Sequence, residues 1–482
     1  MLSQFPIPHS PFPIPNSPFP IPHSPFPILR ASLLVGIAIT TQLVSQLTAS
    51  ASPYPFAPPA EVNITSRLEQ EVSFYQKRIR QSPQDGLNQA LLATAYLKLA
   101  RTTGDSNWYL LAEQAAQQSL KNLPFNNIEA LLAQAKVAEA KHDFDGAIEF
   151  AQKVLHTHPQ HEDALSILVS TYLGKGQIAQ AEVAAQQLVD RVPTLSAYTL
   201  RALVNVAQGR DEAAIEDFHH ALALEEPEEV SHSVWTRTLL ARFYASRGEL
   251  NQGKQLYEEA LRILPRSHFV LTQLAQLETR LGNYDRAEKL YSQVVVSPNA
   301  WDHVALEGMA QVEVLRGDQL AAEALWEKAE ALFRQHENIG HHHHHHHEGM
   351  SAFAHHHHHH EDLNTFGHRR ELAQLLLSRG REEDLPEVLT LMETDLQMRR
   401  DTETLDTYAW VLTRLNRWED AQAILAEAIA TGQRSAVIFY RAGLVEQHLS
   451  NSNQAETYFQ QAKATDPTFN SGDQQLWGIT VY

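Results

Sequence analysis

A spacing of about 34 residues recurs along this chain, and it constrains the fold more than any other feature. Tyr257 and Tyr291 stand 34 apart, as do Gly248 and Gly282, Leu240 and Leu274, and Ala241 and Ala275. The same interval of 34 separates Pro159 from Pro193, Ala421 from Ala455, Leu425 from Phe459, and Ala428 from Ala462. A fixed period of this length marks supersecondary units that cannot bury their apolar faces alone and stack on one another instead. The chain has 482 residues, long enough for an extended array of such units.

Each unit carries the same plan. A first helix has apolar residues at helical spacing, as in Leu165, Leu168, Val169 and Tyr172. A turn follows at Gly176, Gly209, Gly282-Asn283, Gly317-Asp318 or Asn451-Ser452-Asn453. Gly and Asn accept the left-handed backbone that ends a helix. The second helix opens on a small residue (Ala147, Ala181, Ala214, Gly253, Ala287, Ala322, Ala421, Ala455), which lets two helices approach closely. A larger residue follows one turn later: Phe218, Tyr257, Tyr291, Trp326, Leu425 or Phe459. Pro124, Pro159, Pro193, Pro265 and Pro467 then stop second helices. The aromatic residues of this pattern are read as core packing, not as a cofactor box.

The pattern resembles the tetratricopeptide repeat (TPR) family over roughly residues 86–470. The resemblance implies an all-α fold, a right-handed superhelical solenoid of antiparallel helix pairs with about ten units. Units are placed near Gly86, Ile128, Glu162, Leu195, Val234, His268, His303, Phe366, Thr402 and Ala436. This gives seven units over 86–338 and three over 366–470, with a capping helix in 61–85 and a tail at 471–482. The first unit carries an insertion at Thr102 to Trp108, the fourth trails into extra acidic residues after Glu226-Pro227, and the eighth has Leu385 where a small residue belongs. The resemblance further implies a protein or peptide partner held in the concave groove lined by the first helices. On this register Lys136, Arg242, Gln276, Gln311, Trp410 and Tyr440 are expected at exposed first-helix positions. Lys136 and Arg242 would meet an acidic tail, and Trp410 and Tyr440 would supply hot-spot area. The competing reading of each is an ordinary surface or packing residue. No cluster of basic and Asn residues matches the carboxylate clamp of the family's chaperone-binding members.

Charge narrows the partners. Asp and Glu outnumber Lys and Arg by 57 to 38, for a net charge of -19. Binding nucleic acid or an anionic lipid surface calls for the opposite balance. The chain has no cysteine, which excludes disulfides, thiolate metal sites and cysteine nucleophiles. It also has no phosphate-binding loop, dinucleotide fingerprint, G-x-S-x-G elbow or H-E-x-x-H pair. The chain is therefore expected not to be an enzyme and to require no cofactor.

The N-terminal 1–51 reads as an address. Residues 5 to 28 repeat Phe-Pro-Ile-Pro-His/Asn-Ser-Pro, either a ligand for a proline-recognition domain or the product of a translated DNA repeat or a mis-assigned start codon. Arg30, the apolar run Leu33 to Ile39 and Ala49-Ser50-Ala51 are the parts of a secretory signal peptide, predicted to be cleaved after Ala51. The alternative is an uncleaved membrane anchor. Either places the body outside the cytoplasm, periplasmic or lumenal. Residues 52–60, with Pro53, Pro55, Pro58 and Pro59, read as a linker.

The period breaks between the seventh and eighth units, where residues 339–365 are expected to form a disordered histidine-rich loop. It holds His341, His342, His343, His344, His345, His346 and His347, then His355, His356, His357, His358, His359 and His360. Neutral imidazole ligates nickel, zinc, cobalt and copper. A run of imidazoles offers overlapping ligand sets with modest selectivity, so the side chains of both runs are the candidate metal ligands. Metal buffering or delivery, a pH response near the imidazole pKa, and a solvated expansion tolerated between units are the open readings. A smaller cluster, His156, His158 and His161, falls at a turn between repeats, as a metal site or an exposed polar turn. His219-His220 is read as structural.

Overall fold

In a computed structural model, residues 53–57, 64–103, 105, 107–295, 302–339 and 369–476 are described. The proline-rich repeat, the segment expected to be a signal peptide and the histidine runs lie outside them. The described residues form 22 α-helices and no strand. A first helix, α1 (Ile64–Gln81), precedes ten pairs. These are α2 (Gly86–Thr103) with α3 (Asn107–Asn122), α4 (Ile128–Ala140) with α5 (Phe144–Thr157), and α6 (Glu162–Gly174) with α7 (Ile178–Arg191). Next come α8 (Leu195–Ala207) with α9 (Asp211–Ala223), α10 (Val230–Ser246) with α11 (Leu250–Ile263), and α12 (His268–Arg280) with α13 (Tyr284–Val294). Then follow α14 (Asp302–Arg316) with α15 (Gln319–Ile339) and α16 (Arg369–Arg379) with α17 (Leu385–Asp395). The last pairs are α18 (Thr402–Arg414) with α19 (Trp418–Ala430) and α20 (Ala436–His448) with α21 (Ser452–Thr465), before a short α22 (Ser471–Leu476). No helix among the described residues is long and apolar enough to cross a membrane.

Local chemistry sets the helix boundaries. Asn127, Asp143, Thr194, Ser267, Asp401 and Ser435 each accept a hydrogen bond from a first-turn backbone N–H of the helix they precede. Each such cap contributes about 1 kcal/mol. Between paired helices the chain turns through a left-handed residue, usually Gly, with His142, Asn416 and Ser450 in that role where Gly is absent. Ala147, Ala181, Ala214, Ala287, Ala322 and Ala421 are fully buried, so the small positions of the pattern are the close contacts between helices.

Two units depart from the sequence reading. The fifth starts at Val230, one turn before Val234, because the acidic linker ends at Glu229 and the helix begins at once. In the eighth, Leu385 is buried and follows a 3-10 turn at Glu382–Asp384, which carries the chain around the larger side chain. Packing continues from the seventh unit to the eighth. Leu306, Trp326 and Phe333 share one apolar cluster with Leu372, Leu375 and Leu376. Arg379 donates to Glu330 at 2.5 Å across the same junction, and Arg334 donates to Glu387 at 2.8 and 3.0 Å.

The array also folds back on itself. The Arg400 amide donates to the Lys175 carbonyl at 3.4 Å. Asp211 accepts from Arg247 at 2.9 Å and from the distant Arg434 at 2.6 Å. Arg247 also donates to the Arg434 carbonyl at 3.1 Å. Arg280 donates to Asp473 at 2.7 Å and forms a second, shorter ion pair with Asp466. The intrapair turns of units three to six therefore abut the interpair loops of units eight to ten. Two glycines allow the approach. A Cβ on Gly176 would sit 2.5 Å from the Arg400 carbonyl oxygen, and one on Gly209 would sit closer still to that of Gly432.

Candidate partner-binding face

The first helices of successive pairs share one side of the array, and its charges are largely paired. Lys136 on α4 donates to Asp163 on α6 at 2.7 Å. Against the opposing effect of burial, this ammonium holds the Asp163 carboxyl below its ordinary value. Glu139 accepts from Ser170 and is pushed up, because burial outweighs Ser170, Arg101 and Lys136. Further along, Arg370 on α16 pairs with Asp401 at 3.1 Å and Glu403 at 3.4 Å. Arg370 first, and then Arg242 of the fifth unit, hold the carboxyl of the exposed Glu403 below its ordinary value. Arg242 and Glu403 thus feel each other although they lie on α10 and α18, as first helices on one inward face should. Glu307 on α14 lies in the same region. Burial, with the nearby Glu371 carboxylate, pushes it up to about 8.

Of the six expected partner-binding residues, Arg242 and Gln276 are exposed. Gln311 is half-buried, and Lys136 is tied to Asp163. The two aromatic residues are a correction. Trp410 is only 5% exposed, packs in an apolar cluster with Leu372 and Leu376, and lies under the Arg441 guanidinium at 5.1 Å. Tyr440 is half-buried, with ring centroids 5.0 Å from Phe459 and 5.6 Å from Phe469. Trp410 serves the joint between its pair and the one before it, while Tyr440 packs against Phe459 on the partner helix of its own pair and against Phe469 beyond it. Neither supplies open hot-spot area.

His156 and His158 are exposed and His161 precedes α6 as its N-cap residue. Among the described residues no group of three or more His, Asp or Glu side chains is placed to hold a metal ion. His219 is half-buried on α9, and burial together with His220 lowers its pKa. A cleft of about 290 Å³ lies between α7, α8 and α9. Its charges neutralise one another: Arg201 donates to Asp217 at 2.9 Å, Asn205 to Asp217 at 2.8 Å, and Arg210 to Glu182 at 2.7 Å. Sequence reasoning missed these contacts, since each joins one helix to a residue of another helix or of the turn beside it.

A stack of antiparallel helix pairs with a shared first-helix face defines a helical-repeat solenoid. The pattern of the tetratricopeptide repeat family matches residues 138–204. Over those residues the chain resembles tetratricopeptide repeats, and the paired helices of the fold agree with that resemblance. It is 26% identical over 221 residues to cellulose synthase operon protein C of Pseudomonas fluorescens (strain SBW25), a match covering 42% of this chain and 17% of that protein's own length. A tetratricopeptide repeat protein from Parabacteroides merdae is similar over 49% of this chain and 92% of its own, at 18% identity and a TM-score of 0.36. The human IFIT1 dimer solved with PPP-AAAA is similar over 83% and 86%, at 13% identity and a TM-score of 0.43. Tetratricopeptide repeats point to a protein-interaction scaffold, a fold that is generally non-catalytic.

Proposed function

We propose that this chain is a non-enzymatic scaffold that holds a protein or peptide partner along its first-helix face, outside the cytoplasm. The observation that carries this is the pairing of charges along that face, with Arg242 and Gln276 left exposed between paired neighbours. A partner can then add contacts there without breaking buried ion pairs, and an acidic segment suits Arg242. The N-terminal Arg30, Leu33 to Ile39 and Ala49-Ser50-Ala51 support export, with a membrane anchor as the other outcome. Photo-cross-linking from Gln276, in cells, tests the site. The partner cross-linked there should be lost in Arg242→Glu. Cross-linking unchanged by that variant would contradict the assignment. Mass spectrometry of the mature N-terminus should find it at Ser52, and a chain beginning upstream would contradict cleavage.

A second reading rests on the histidine runs 341–347 and 355–360. It makes the chain an accessory protein that buffers or delivers nickel, zinc, cobalt or copper while the repeats dock on a transporter or metalloenzyme. Deleting residues 341–360 should then lower tolerance to at least one of these metals. Unchanged tolerance together with unchanged partner recovery would remove this reading and leave the scaffold.

A further inference from the structure

Exposed large apolar side chains are normally scattered over a surface, and in this chain they gather at one end. Phe74, Leu87, Leu111, Leu123 and Phe125, five of the eight that stand exposed among the described residues, belong to α1 and the first unit. Four of them, all but Leu111, lie toward one edge. There α1 ends at Gln81, α2 begins at Gly86 and α3 ends at Asn122. A Cβ on Gly86 would sit 2.6 Å from Leu123 Cβ, and Asn122 donates to Gln89 at 2.9 Å across the same junction. A cleft of about 340 Å³ runs from Phe74, Lys77 and Arg78 to Asp85 and Asn88.

The loop after α3 holds Phe125 outward. Pro124 restricts the backbone before it, and Asn126 turns left-handed after it. The buried Asn127 side chain donates to Ser119 Oγ at 2.9 Å and to the Leu123 carbonyl at 3.0 Å, and it accepts from the Ala130 amide at 3.3 Å. Ser119, fully buried, donates to the Gly86 carbonyl at 2.6 Å. Phe125 is left 80% exposed at the tip of a loop pinned on both sides.

The charge of this end is the reverse of the whole. Residues 64–126 carry seven Lys and Arg against five Asp and Glu, within a chain that has 38 against 57. Lys77, Arg78 and Arg80 near the end of α1 and Lys121 in the last turn of α3 are exposed. Arg78 lies over the Phe74 ring at 5.6 Å, its stem covering apolar surface while its charge stays in water. Asp85, an acid of the cleft, caps α2 by accepting from the Asn88 amide at 3.1 Å.

We propose that this edge is a docking surface for an anionic lipid bilayer. Phe125, Leu87 and Leu123 enter the headgroup layer, and Lys77, Arg78, Arg80 and Lys121 meet the lipid phosphates. A protein partner is met by recessed pockets around a desolvated anchor. A bilayer calls for the converse, protruding apolar tips ringed by long basic side chains, which is the arrangement here. The acidic balance of the whole chain opposes anionic lipid elsewhere on the array, so it selects which end faces the bilayer. The surface needs no export segment and is separate from the first-helix partner proposed above.

Residues 51–482 make one compact unit, so the test uses residues 52–482. The wild type should co-sediment with vesicles of phosphatidylglycerol and phosphatidylcholine in equal parts, and not with phosphatidylcholine alone. Lys77→Glu with Arg78→Glu and Arg80→Glu should weaken that binding at least about tenfold. Phe125→Ser with Leu87→Ser should weaken it roughly fivefold. All five side chains are exposed, so the unfolding transition should stay that of the wild type. The chain has no cysteine, which allows a polarity-sensitive dye at a single position. On Phe125→Cys its emission should brighten and move to shorter wavelength with the anionic vesicles, and on the exposed Asp285→Cys of the sixth unit it should not change. Equal binding to both vesicles, binding indifferent to the charge reversal, or a dye at position 125 that stays in water would overturn the proposal. Absent vesicle binding together with a protein photo-cross-linked from position 125 in cells would assign the edge to a protein instead.

Discussion

The intrapair turns of units three and four and those of units six and seven look alike in sequence, and the structure uses them differently. Gly176, Gly209, Gly282 and Gly317 all have positive φ. The first two face a second layer of the array, with the carbonyls of Arg400 and Gly432 where a Cβ would go. Around Gly282 and Gly317 nothing lies within 4 Å of that point. The same glycine therefore ends a helix in each of these units, and only in the earlier two does it also permit a close approach. The charges divide less cleanly, since Arg280, two residues before Gly282, still reaches across to Asp473. Asp211, half-buried beside Gly209, joins Arg247 to Arg434. Asp285, beside Gly282, is fully exposed although it pairs with Arg316. A repeat repeats its local structure, and its contacts with the next layer depend on where the winding brings it.

The comparison can be broken most sharply at the glycines. Gly209→Ala combines left-handed strain with a clash against the Gly432 carbonyl and should destabilise by about 3 kcal/mol. Gly317→Ala carries the strain alone and should cost about 1–2 kcal/mol. Denaturant unfolding of the two variants measures the difference, and equal losses would mean that the close approach has no energetic weight. Asp211→Ala leaves two guanidinium groups without their shared carboxylate and should cost about 2 kcal/mol by the same measurement. Inside the coil, Glu307 gives a pH test. Its folded pKa, about 8, lies above its unfolded value of 4.5. The folded state holds that proton more tightly, so the contribution is full below pH 4.5 and is lost as pH rises through about 8. The Tm should fall by about 2–4 °C more in the wild type than in Glu307→Gln between pH 5 and pH 9. Parallel Tm curves would contradict the shift. Asp285→Ala, fully exposed, should leave the unfolding transition where it is.

Much of this was legible in the sequence. The recurring period, the small residues and the left-handed turns revealed the pairs and most of their starting points, because those features act within one unit. Contacts between layers were not legible. Arg434 and Asp211, or Arg280 and Asp473, carry no shared period, and each resembles an ordinary surface charge until the array winds. Trp410 and Tyr440 were misread for a related reason. Their helical register gives a face, yet the packing around it decides whether that face is open: the preceding pair covers Trp410, and Phe459 of its own pair covers part of Tyr440. Arg237, fully buried and paired with Glu225, was overlooked because a pattern search notices residues that fit, and so was Glu278, fully buried one period after Tyr244 and one before Val312.

The fold-back of the array is the central claim, and the absence of native cysteine allows a direct test. Lys175→Cys with Arg400→Cys places two thiols where the backbones meet through the 3.4 Å hydrogen bond. Mild oxidation should close an intramolecular disulfide in the folded protein at high yield, detected as a shift in non-reducing electrophoresis that urea abolishes when added before oxidation. A folded protein whose two thiols stay free under the same oxidant would contradict the fold-back and leave the pairs as an open array.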